Sequence, residues 1–330
     1  MKIDVIEIEL SSLCNARCSD CMRTKLDNKK ISYFKGNLSL KQIKQNFYNL
    51  DMKNTKIKLC GVLGDPMLNP ELELIIEYFI FSKNVKNIEM STNGGAKTKD
   101  FWKNLGELSK MSNEKFVVHW SIDGVTRNDY RENVNINKVW ENVNTYNQAG
   151  GLSVWQYILF DYNFSELTLA KKIADEKGMT FLTRNSWRNN SESAKHNKST
   201  NSKELDVNSV ESIKQKILDD DYDSVNIKCR HKIKNEIFIS VDNKLWPCCH
   251  LYDENVKEKS IVELGLSNVF NNYGNNFNDL NIHSLTEILN SEWYLKTLVD
   301  GWNKNSKFHV PRCWFSCGDG GKRSVIKEKL

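Results

Sequence analysis

Three closely spaced cysteines near the amino terminus constrain this chain more than any other feature. Cys14, Cys18 and Cys21 form a CxxxCxxC pattern soon after residues 3–10, whose alternating apolar side chains predict a β-strand. Three thiolates on a loop that leaves a strand can bind three irons of a [4Fe-4S] cluster, and the fourth iron then lacks a protein ligand. Zinc is the alternative, with a fourth ligand from Cys60 or a histidine.

Length and composition indicate a globular protein without a membrane span. The 330 residues suffice for a full core, and no apolar run approaches the ~20 residues that a span needs. No signal peptide is recognisable, so we expect a cytoplasmic protein whose nine cysteines bind metal rather than form disulfides. The net charge of +5 is modest and the lysines are scattered, which argues against nucleic-acid binding.

Strands alternate with helices over the first half of the chain, which predicts parallel strands joined by helical crossovers. The predicted strands are residues 3–10, 57–61, 85–91, 116–122, 154–160 and 180–183. The predicted helices are residues 40–50, 70–81, 100–111, 137–148 and 164–177. We therefore expect an α/β fold, a partial (β/α)6 TIM-like barrel over residues 1–188.

The second half predicts a smaller module of a different kind. Residues 189–225 are rich in Asn, Ser, Lys and Asp, which is typical of a polar linker or surface excursion. Residues 236–241 and 244–248 flank Asp242 and Asn243, a pattern typical of a β-hairpin, and residues 285–299 predict a helix. We expect residues 226–330 to form a small α+β domain that binds a cluster.

Three short motifs follow predicted strands in a fixed order after the cysteines. They are GVLGDP at residues 61–66, STNG at residues 91–94, and SIDG at residues 121–124 with Tyr130-Arg131 shortly after. Parallel strands bring their carboxyl ends to one edge, where open α/β sheets bind ligands. Together with the cysteine spacing, this order resembles the radical S-adenosylmethionine (radical SAM) enzymes.

The resemblance implies a [4Fe-4S] cluster held by the three cysteines, with S-adenosylmethionine (SAM) on the open iron. It also implies SAM contacts from the three motifs, at Gly64, Asp65, Pro66, Thr92, Asn93, Ser121, Asp123 and Arg131. Asp65 stands where the family usually has Glu, which keeps the charge but shortens the reach. Asp20 stands where an aromatic residue usually precedes the third cysteine, so we expect the adenine contacts to differ in detail.

A second cysteine group lies in the carboxy-terminal half: Cys229, Cys248, Cys249, Cys313 and Cys317. It resembles the auxiliary-cluster module called twitch, a relative of the longer SPASM domain. This resemblance implies a second [4Fe-4S] cluster on Cys229, Cys248, Cys313 and Cys317. Strand alternation would place Cys249 on the opposite face from Cys248 as a packed thiol. Cys249 in place of Cys248, and zinc in place of the cluster, are the alternatives.

Three side chains are candidates for the substrate side of the barrel. Period-two alternation groups Cys60 with Lys58, Glu89 with Ser91 and His119 with Ser121. Glu89 and His119 are therefore expected to face inward with the serines, and Cys60 is a candidate for the barrel interior. For each of them a structural role is the alternative.

The resemblance further implies reductive cleavage of SAM to a 5′-deoxyadenosyl radical that abstracts hydrogen from a substrate carbon. With an auxiliary cluster as electron acceptor, the expected outcome is dehydrogenation. A radical epimerase, with Cys60 or Cys249 returning a hydrogen atom, and a peptide-modifying maturase are the alternatives. A zinc-bearing binding protein without catalysis is the alternative of another class.

The expected partners are a substrate and an electron donor such as flavodoxin or ferredoxin. The substrate is a small molecule or a peptide. The first predicted strand begins near residue 1, so we expect no amino-terminal peptide-binding domain, which favours a small metabolite.

Overall fold

The structure, a computed structural model, describes residues 2–160, 162–185, 226–256 and 263–318. Of these, residues from Val5 to Asn185 form one compact unit, and residues from Asn226 onward form a second, together with residues 2–4. The predicted linker at residues 189–225 lies outside the described residues. The two units are described separately below.

The first unit is built on six parallel strands in the order β6-β5-β4-β3-β2-β1. They are β1 (Val5–Ile8), β2 (Lys56–Leu59), β3 (Asn87–Thr92), β4 (Phe116–Ser121), β5 (Leu152–Leu159) and β6 (Thr180–Asn185). Neighbours along the sheet are neighbours along the chain, so the sheet grows in one direction through successive crossovers. The predicted α/β fold with six parallel strands is confirmed, and the predicted strand ends differ from the observed ones by at most two residues.

Six helices supply the crossovers and the loop structure of this unit. They are α1 (Met22–Asn28), α2 (Leu40–Phe47), α3 (Leu72–Glu77), α4 (Lys99–Met111), α5 (Ile136–Gln148) and α6 (Leu167–Glu176). Helix α3 continues as a π-helical turn, Tyr78–Ser82, and α1 was not expected from the sequence. Polar residues begin several helices: Ser39 and Gln42 form a capping box at α2, and the Thr98 hydroxyl accepts from the Phe101 amide at α4.

The two faces of the parallel sheet differ in polarity. Ile57, Ile88 and Trp120 represent one face, whose side chains are fully buried. On the other face Lys58 lies beside Glu7 and Glu89 in the strand register, and these side chains are half-buried. Because side chains alternate along a strand, one face forms the core and the other remains open to polar partners.

The second unit contains a hairpin and short helices. The elements are α7 (Arg230–Ile233), β7 (Glu236–Ile239), β8 (Leu245–Trp246), α8 (Cys249–Val256), α9 (Glu263–Tyr273), α10 (Leu285–Leu289), α11 (Leu298–Asp300) and α12 (Pro311–Cys317). The predicted hairpin is confirmed: Phe238 pairs with Trp246, and Asn243 takes the positive φ of 59° that the turn requires. Both strands are shorter than predicted.

Two sequence predictions in this unit are wrong. Residues 285–299 do not form one helix, because the Ser291 hydroxyl donates to the Ile288 carbonyl and accepts from the Tyr294 amide. These side-chain bonds end α10 and begin a new π-helical turn, Trp293–Thr297. Cys249 begins α8 instead of continuing a strand, so strand alternation does not decide where its side chain lies.

No helix in the described ranges is long and apolar enough to cross a membrane.

Helices α4 and α5 meet at Gly106, and this contact yields a stability prediction. A Cβ atom on Gly106 would lie 2.4 Å from the Tyr146 carbonyl oxygen and 2.8 Å from the Ala149 Cβ. Gly106→Ala should therefore lower stability by about 1–3 kcal/mol, although helix propensity alone favours Ala by about 1 kcal/mol. Thermal unfolding measures the change. The exposed Glu107→Ala on the same helix is the control, and a Gly106→Ala protein as stable as wild type would contradict the close contact.

Candidate functional site

The three amino-terminal cysteines lie on the loop between β1 and α1. Cys21 directly precedes α1, and its amide donates to the Cys18 carbonyl at 3.0 Å. The Arg17 amide donates to the Glu132 carbonyl at 2.9 Å, so the loop is also fixed to the segment after β4. These backbone bonds give the cysteine loop a defined shape without help from a bound group.

All three cysteines join one side-chain cluster. Buried Cys18 packs with Ala16, Tyr130 and Phe160, and the partly buried Cys14 and Cys21 pack against the same cluster. Within the described ranges, no three histidine, cysteine or acidic side chains form a group that could hold a metal ion. A cubane cluster differs from a single ion because each thiolate binds a different iron.

The chemistry of the Cys14 thiol suits a bound cation. Burial and the nearby Asp65 carboxylate raise the pKa of Cys14 to about 12, so the free thiol keeps its proton at neutral pH. Metal ligation needs the thiolate, and a bound metal is what removes the proton from such a thiol. The donor set and its surroundings therefore fit an iron-sulfur cluster on this loop.

The Asp65 carboxylate connects the ends of β2 and β3. It is fully buried, and it accepts hydrogen bonds from the Met67 amide, the Thr92 hydroxyl, the Asn93 amide and the Asn93 side chain, at 2.8–3.1 Å. Burial raises the pKa of Asp65, against the effect of these donors. Since four protein donors occupy the carboxylate, its expected contact with the SAM amino group stays a prediction.

Gly64 allows the GVLGDP loop to lie directly on the cysteine loop. A Cβ atom on Gly64 would lie 2.0 Å from the Ser11 carbonyl oxygen, which no side chain could tolerate. The next residue, Asp65, donates its amide to the Leu13 carbonyl at 2.9 Å. Pro66 begins the 3-10 turn Pro66–Leu68 immediately after. The glycine is thus required by close backbone approach.

Asn93 connects this network to the first cysteine. Its side-chain nitrogen Nδ2 lies 3.5 Å from the Cys14 sulfur, 3.0 Å from the Asn15 side-chain oxygen and 2.9 Å from Asp65 Oδ2. The STNG and GVLGDP loops therefore meet at Cys14, as expected for loops at the carboxyl edge of a parallel sheet.

The third motif, SIDG with Arg131, contributes a buried ion pair beside the second cysteine. Arg131 Nε lies 2.9 Å from Asp123 Oδ2, and both side chains are almost wholly buried. Burial acts to lower the pKa of Arg131, but the charges of Asp123 and the nearby Cys18 hold that pKa above its usual value. Asp123 thus positions Arg131. Ser121 ends β4 and lies beside Gln156 in the strand register.

The three substrate-side candidates lie on the half-buried face of the sheet. The Cys60 thiol donates to the Glu7 carboxylate at 3.1 Å, and Glu89 forms an ion pair with Lys56. His119 Nδ1 lies 3.0 Å from the amide nitrogen of Gln156.

The tautomer of His119 follows from that contact. An amide nitrogen can only donate, so Nδ1 accepts and the proton of the neutral ring is on Nε2. Burial lowers the pKa of His119, against the raising effect of Glu89, which favours the neutral ring. His119 therefore offers its Nε2–H as a hydrogen-bond donor on the half-buried face of the sheet.

Sequence reasoning missed an aromatic stack beside the cysteines. Tyr130 stacks on Phe160 with ring centroids 5.0 Å apart, and Phe160 stacks on Tyr162 at 5.5 Å. Phe160 directly follows β5, so the strand-end position was the available signal. Asp20, which stands where the family usually has an aromatic residue, is a buried carboxylate that pairs with Lys25 at 3.1 Å.

In the second unit, four cysteines line one cavity. They are Cys229, Cys248, Cys313 and Cys317, and Cys249 is not among the lining residues. The Lys228 amide donates to the Cys317 carbonyl at 3.1 Å, and Ile227 bridges to Gly318, which aligns the two ends of the unit.

The four thiols affect one another's ionisation. A hydrogen bond to Cys317 and burial raise the pKa of Cys229, and the same bond lowers the pKa of Cys317 to about 7. Burial, and after it the charges of Cys248 and Cys229, raise the pKa of Cys313. A cation would relieve this mutual repulsion, so this donor set also fits a bound metal group.

Comparison with solved structures identifies the fold. The chain matches anSMEcpe with bound AdoMet at a TM-score of 0.57 and 15% identity, over 96% of this chain and 84% of that one. It matches anSMEcpe with AdoMet and the Cp18Cys peptide at a TM-score of 0.55 and 14% identity, over 96% and 88%. Streptococcus suis SuiB bound to precursor peptide SuiA matches at a TM-score of 0.55 and 12% identity, over 78% of this chain.

The chain has the fold of radical SAM enzymes.

No protein-family profile and no curated protein matches the sequence. The chain spans 62% of the length of that SuiB structure. At these identities the radical SAM fold is what the comparison shows, and the anSMEcpe match extends over both units of the chain.

The Asp65 network yields a prediction about the radical SAM fold of this chain. In Asp65, one carboxylate oxygen accepts from the Met67 amide and the other accepts from Thr92 and Asn93. Asp65→Asn keeps one of these oxygens and replaces the other with an NH2 group. That NH2 group then faces either the Met67 amide or the Thr92 and Asn93 donors. At least one buried donor loses its acceptor, so we expect a loss of about 1–3 kcal/mol in unfolding free energy. Denaturant unfolding measures it.

Asp51→Asn is the matched control, because Asp51 is exposed and its carboxylate accepts the Lys53 amide. Its unfolding free energy should stay within about 0.5 kcal/mol of the wild-type value. Equal stabilities of the two variants would show that the Asp65 bonds do not support the loops.

Proposed function

We propose that this protein is a radical SAM enzyme that reductively cleaves SAM and abstracts hydrogen from a substrate carbon. The observation that carries the proposal is the meeting of the motif loops: Asn93 joins Cys14 to Asp65, and Arg131 lies beside Cys18. An ordinary structural site would not require these three loops to converge on the cysteines.

Cys14, Cys18 and Cys21 would hold the first [4Fe-4S] cluster. When bound, that cluster supplies the electron that cleaves SAM into methionine and a 5′-deoxyadenosyl radical. The protein's part is to orient SAM and exclude water. Arg131, positioned by Asp123, and Ser121 would bind the SAM carboxylate.

Asp65 acts mainly by holding Thr92 and Asn93 in place. Gly64 and Pro66 shape the loop that faces SAM. The aromatic stack of Tyr130, Phe160 and Tyr162 provides an apolar surface for the adenine in place of the usual aromatic residue at position 20.

The second unit, over residues 226–330, would hold an auxiliary [4Fe-4S] cluster. Its ligands would be Cys229, Cys248, Cys313 and Cys317, which line one cavity that Cys249 does not line. A flavodoxin or ferredoxin would supply the electron for SAM cleavage.

The net reaction would be a dehydrogenation. A substrate alcohol or thiol loses one hydrogen atom from carbon to the deoxyadenosyl radical, one electron to the auxiliary cluster, and one proton to a base. Glu89 and Glu7 are the acidic side chains on the half-buried sheet face, and they are the base candidates. His119, with its proton on Nε2, would donate a hydrogen bond to the substrate oxygen.

The comparisons favour a peptide over the small metabolite that the sequence favoured. Structures of both anSMEcpe and SuiB contain a bound peptide, and both share this fold. The substrate we favour is therefore a peptide residue with a hydroxyl or thiol group.

An epimerase is the second candidate, and the Cys60 thiol supports it. Cys60 lies on the same sheet face as Glu89 and is half-buried, so its hydrogen could return to a substrate radical.

Anaerobic reconstitution tests the central proposal. Wild-type protein should bind about eight irons and form 5′-deoxyadenosine from SAM after reduction, because two cubane clusters carry four irons each. Cys18→Ser should lose about half of the iron and all deoxyadenosine, whereas Cys249→Ser should retain both. A colourless zinc protein that does not cleave SAM would overturn the proposal.

The reaction outcome is tested separately by removing an auxiliary ligand. Cys313→Ala should still form deoxyadenosine from SAM but yield at least ten-fold less oxidised product, since the electron acceptor is missing. Mass spectrometry of reacted peptides in deuterated water measures the product. Deuterium at carbon without oxidation, lost in Cys60→Ala, would establish the epimerase instead.

A further inference from the structure

The four-cysteine cavity also contains two buried hydrogen-bond donors. The Trp302 indole and the Ser316 side chain both line it. The Trp302 nitrogen and the Ser316 oxygen are shielded from solvent, and neither has a hydrogen-bond partner among the described residues. A buried donor without an acceptor is destabilising, because it has lost its hydrogen bonds to water. Two such donors in one cavity indicate an acceptor-rich bound group.

Three contacts hold Trp302, two at its backbone and one at its ring. Its backbone carbonyl accepts from the Trp314 indole at 2.9 Å, and its amide donates to Val299 at 3.1 Å. The Lys232 ammonium lies 5.4 Å from the ring centroid. These contacts fix the Trp302 backbone and place a cation over its ring.

Cys313 and Trp302 line the same cavity. A thiolate or sulfide carries more negative charge than a thiol and accepts more strongly.

We propose that Trp302 and Ser316 donate hydrogen bonds to sulfur atoms of the auxiliary cluster and raise its reduction potential. The inference rests on the proposed auxiliary cluster in this cavity. Hydrogen bonds to cluster sulfurs stabilise the reduced form, which carries one more negative charge, so they make the cluster a better electron acceptor. Both residues tune the cluster through its ligands and do not contact the substrate.

Trp302→Phe removes the N–H and keeps an aromatic ring, and Ser316→Ala removes the hydroxyl. Trp293→Phe is the matched control. The Trp293 nitrogen is also buried without a partner, but its ring packs on Phe277 with centroids 5.0 Å apart and does not line the cavity.

The measurement is a redox titration of the reconstituted holoenzyme, followed by electron paramagnetic resonance. Repeating it in a variant with Cys14, Cys18 and Cys21 changed to Ala isolates the auxiliary signal. We expect Trp302→Phe and Ser316→Ala each to shift the auxiliary potential to a more negative value, with Trp293→Phe unchanged. Iron content should equal that of wild type in all three.

Unchanged potentials in both cavity variants would overturn the inference. A residue with only a packing role would lower iron content or thermal stability and leave the potential alone, and Ser316→Ala tests the idea even if Trp302→Phe fails to fold. Zinc in the four-cysteine site would also overturn it, while deoxyadenosine from the first cluster would leave the SAM-cleavage proposal intact.

Discussion

The buried Asp65 carboxylate is the interaction on which the candidate site depends. It gathers donors from the end of β3 and from the turn after β2, so two crossover loops share one acceptor. In a low-dielectric interior such bonds are strong, and leaving the same donors unpaired is costly. Asn93 extends the network to Cys14, which fixes the relation between the cysteine loop and the strand ends.

The two-faced sheet explains why a site forms at all. Ile57, Ile88 and Trp120 bury one face of the sheet completely, so the strands are held without using the other face. The second face can then keep Glu7, Lys58, Glu89 and His119 half-buried. Charged side chains there form pairs, as Lys56 does with Glu89.

The two cysteine groups differ in how they are built. The first lies on a loop shaped by backbone bonds, and its neighbours are an aromatic stack and the Arg131–Asp123 pair. The second gathers cysteines from α7, from the end of the hairpin and from α12 around one cavity. Its thiols repel one another when ionised, because the charges of Cys248 and Cys229 act on Cys313.

Local sequence patterns alone predicted six parallel strands, most helices and the position of each motif at a strand end. These features depend on period-two alternation and turn residues, which act between near neighbours. The sequence could not predict the break at Ser291 or the helical start at Cys249, because side-chain hydrogen bonds and local packing override propensity there. It also could not show that the Asp65 carboxylate is already occupied by protein donors.

Three further features came only from the tertiary structure. They are the aromatic stack of Tyr130, Phe160 and Tyr162, the tautomer of His119, and the buried donors of Trp302 and Ser316 that lack an acceptor among the described residues. Tyr130 is distant from Phe160 in the chain, as His119 is from Gln156, and only the packed fold brings such groups together.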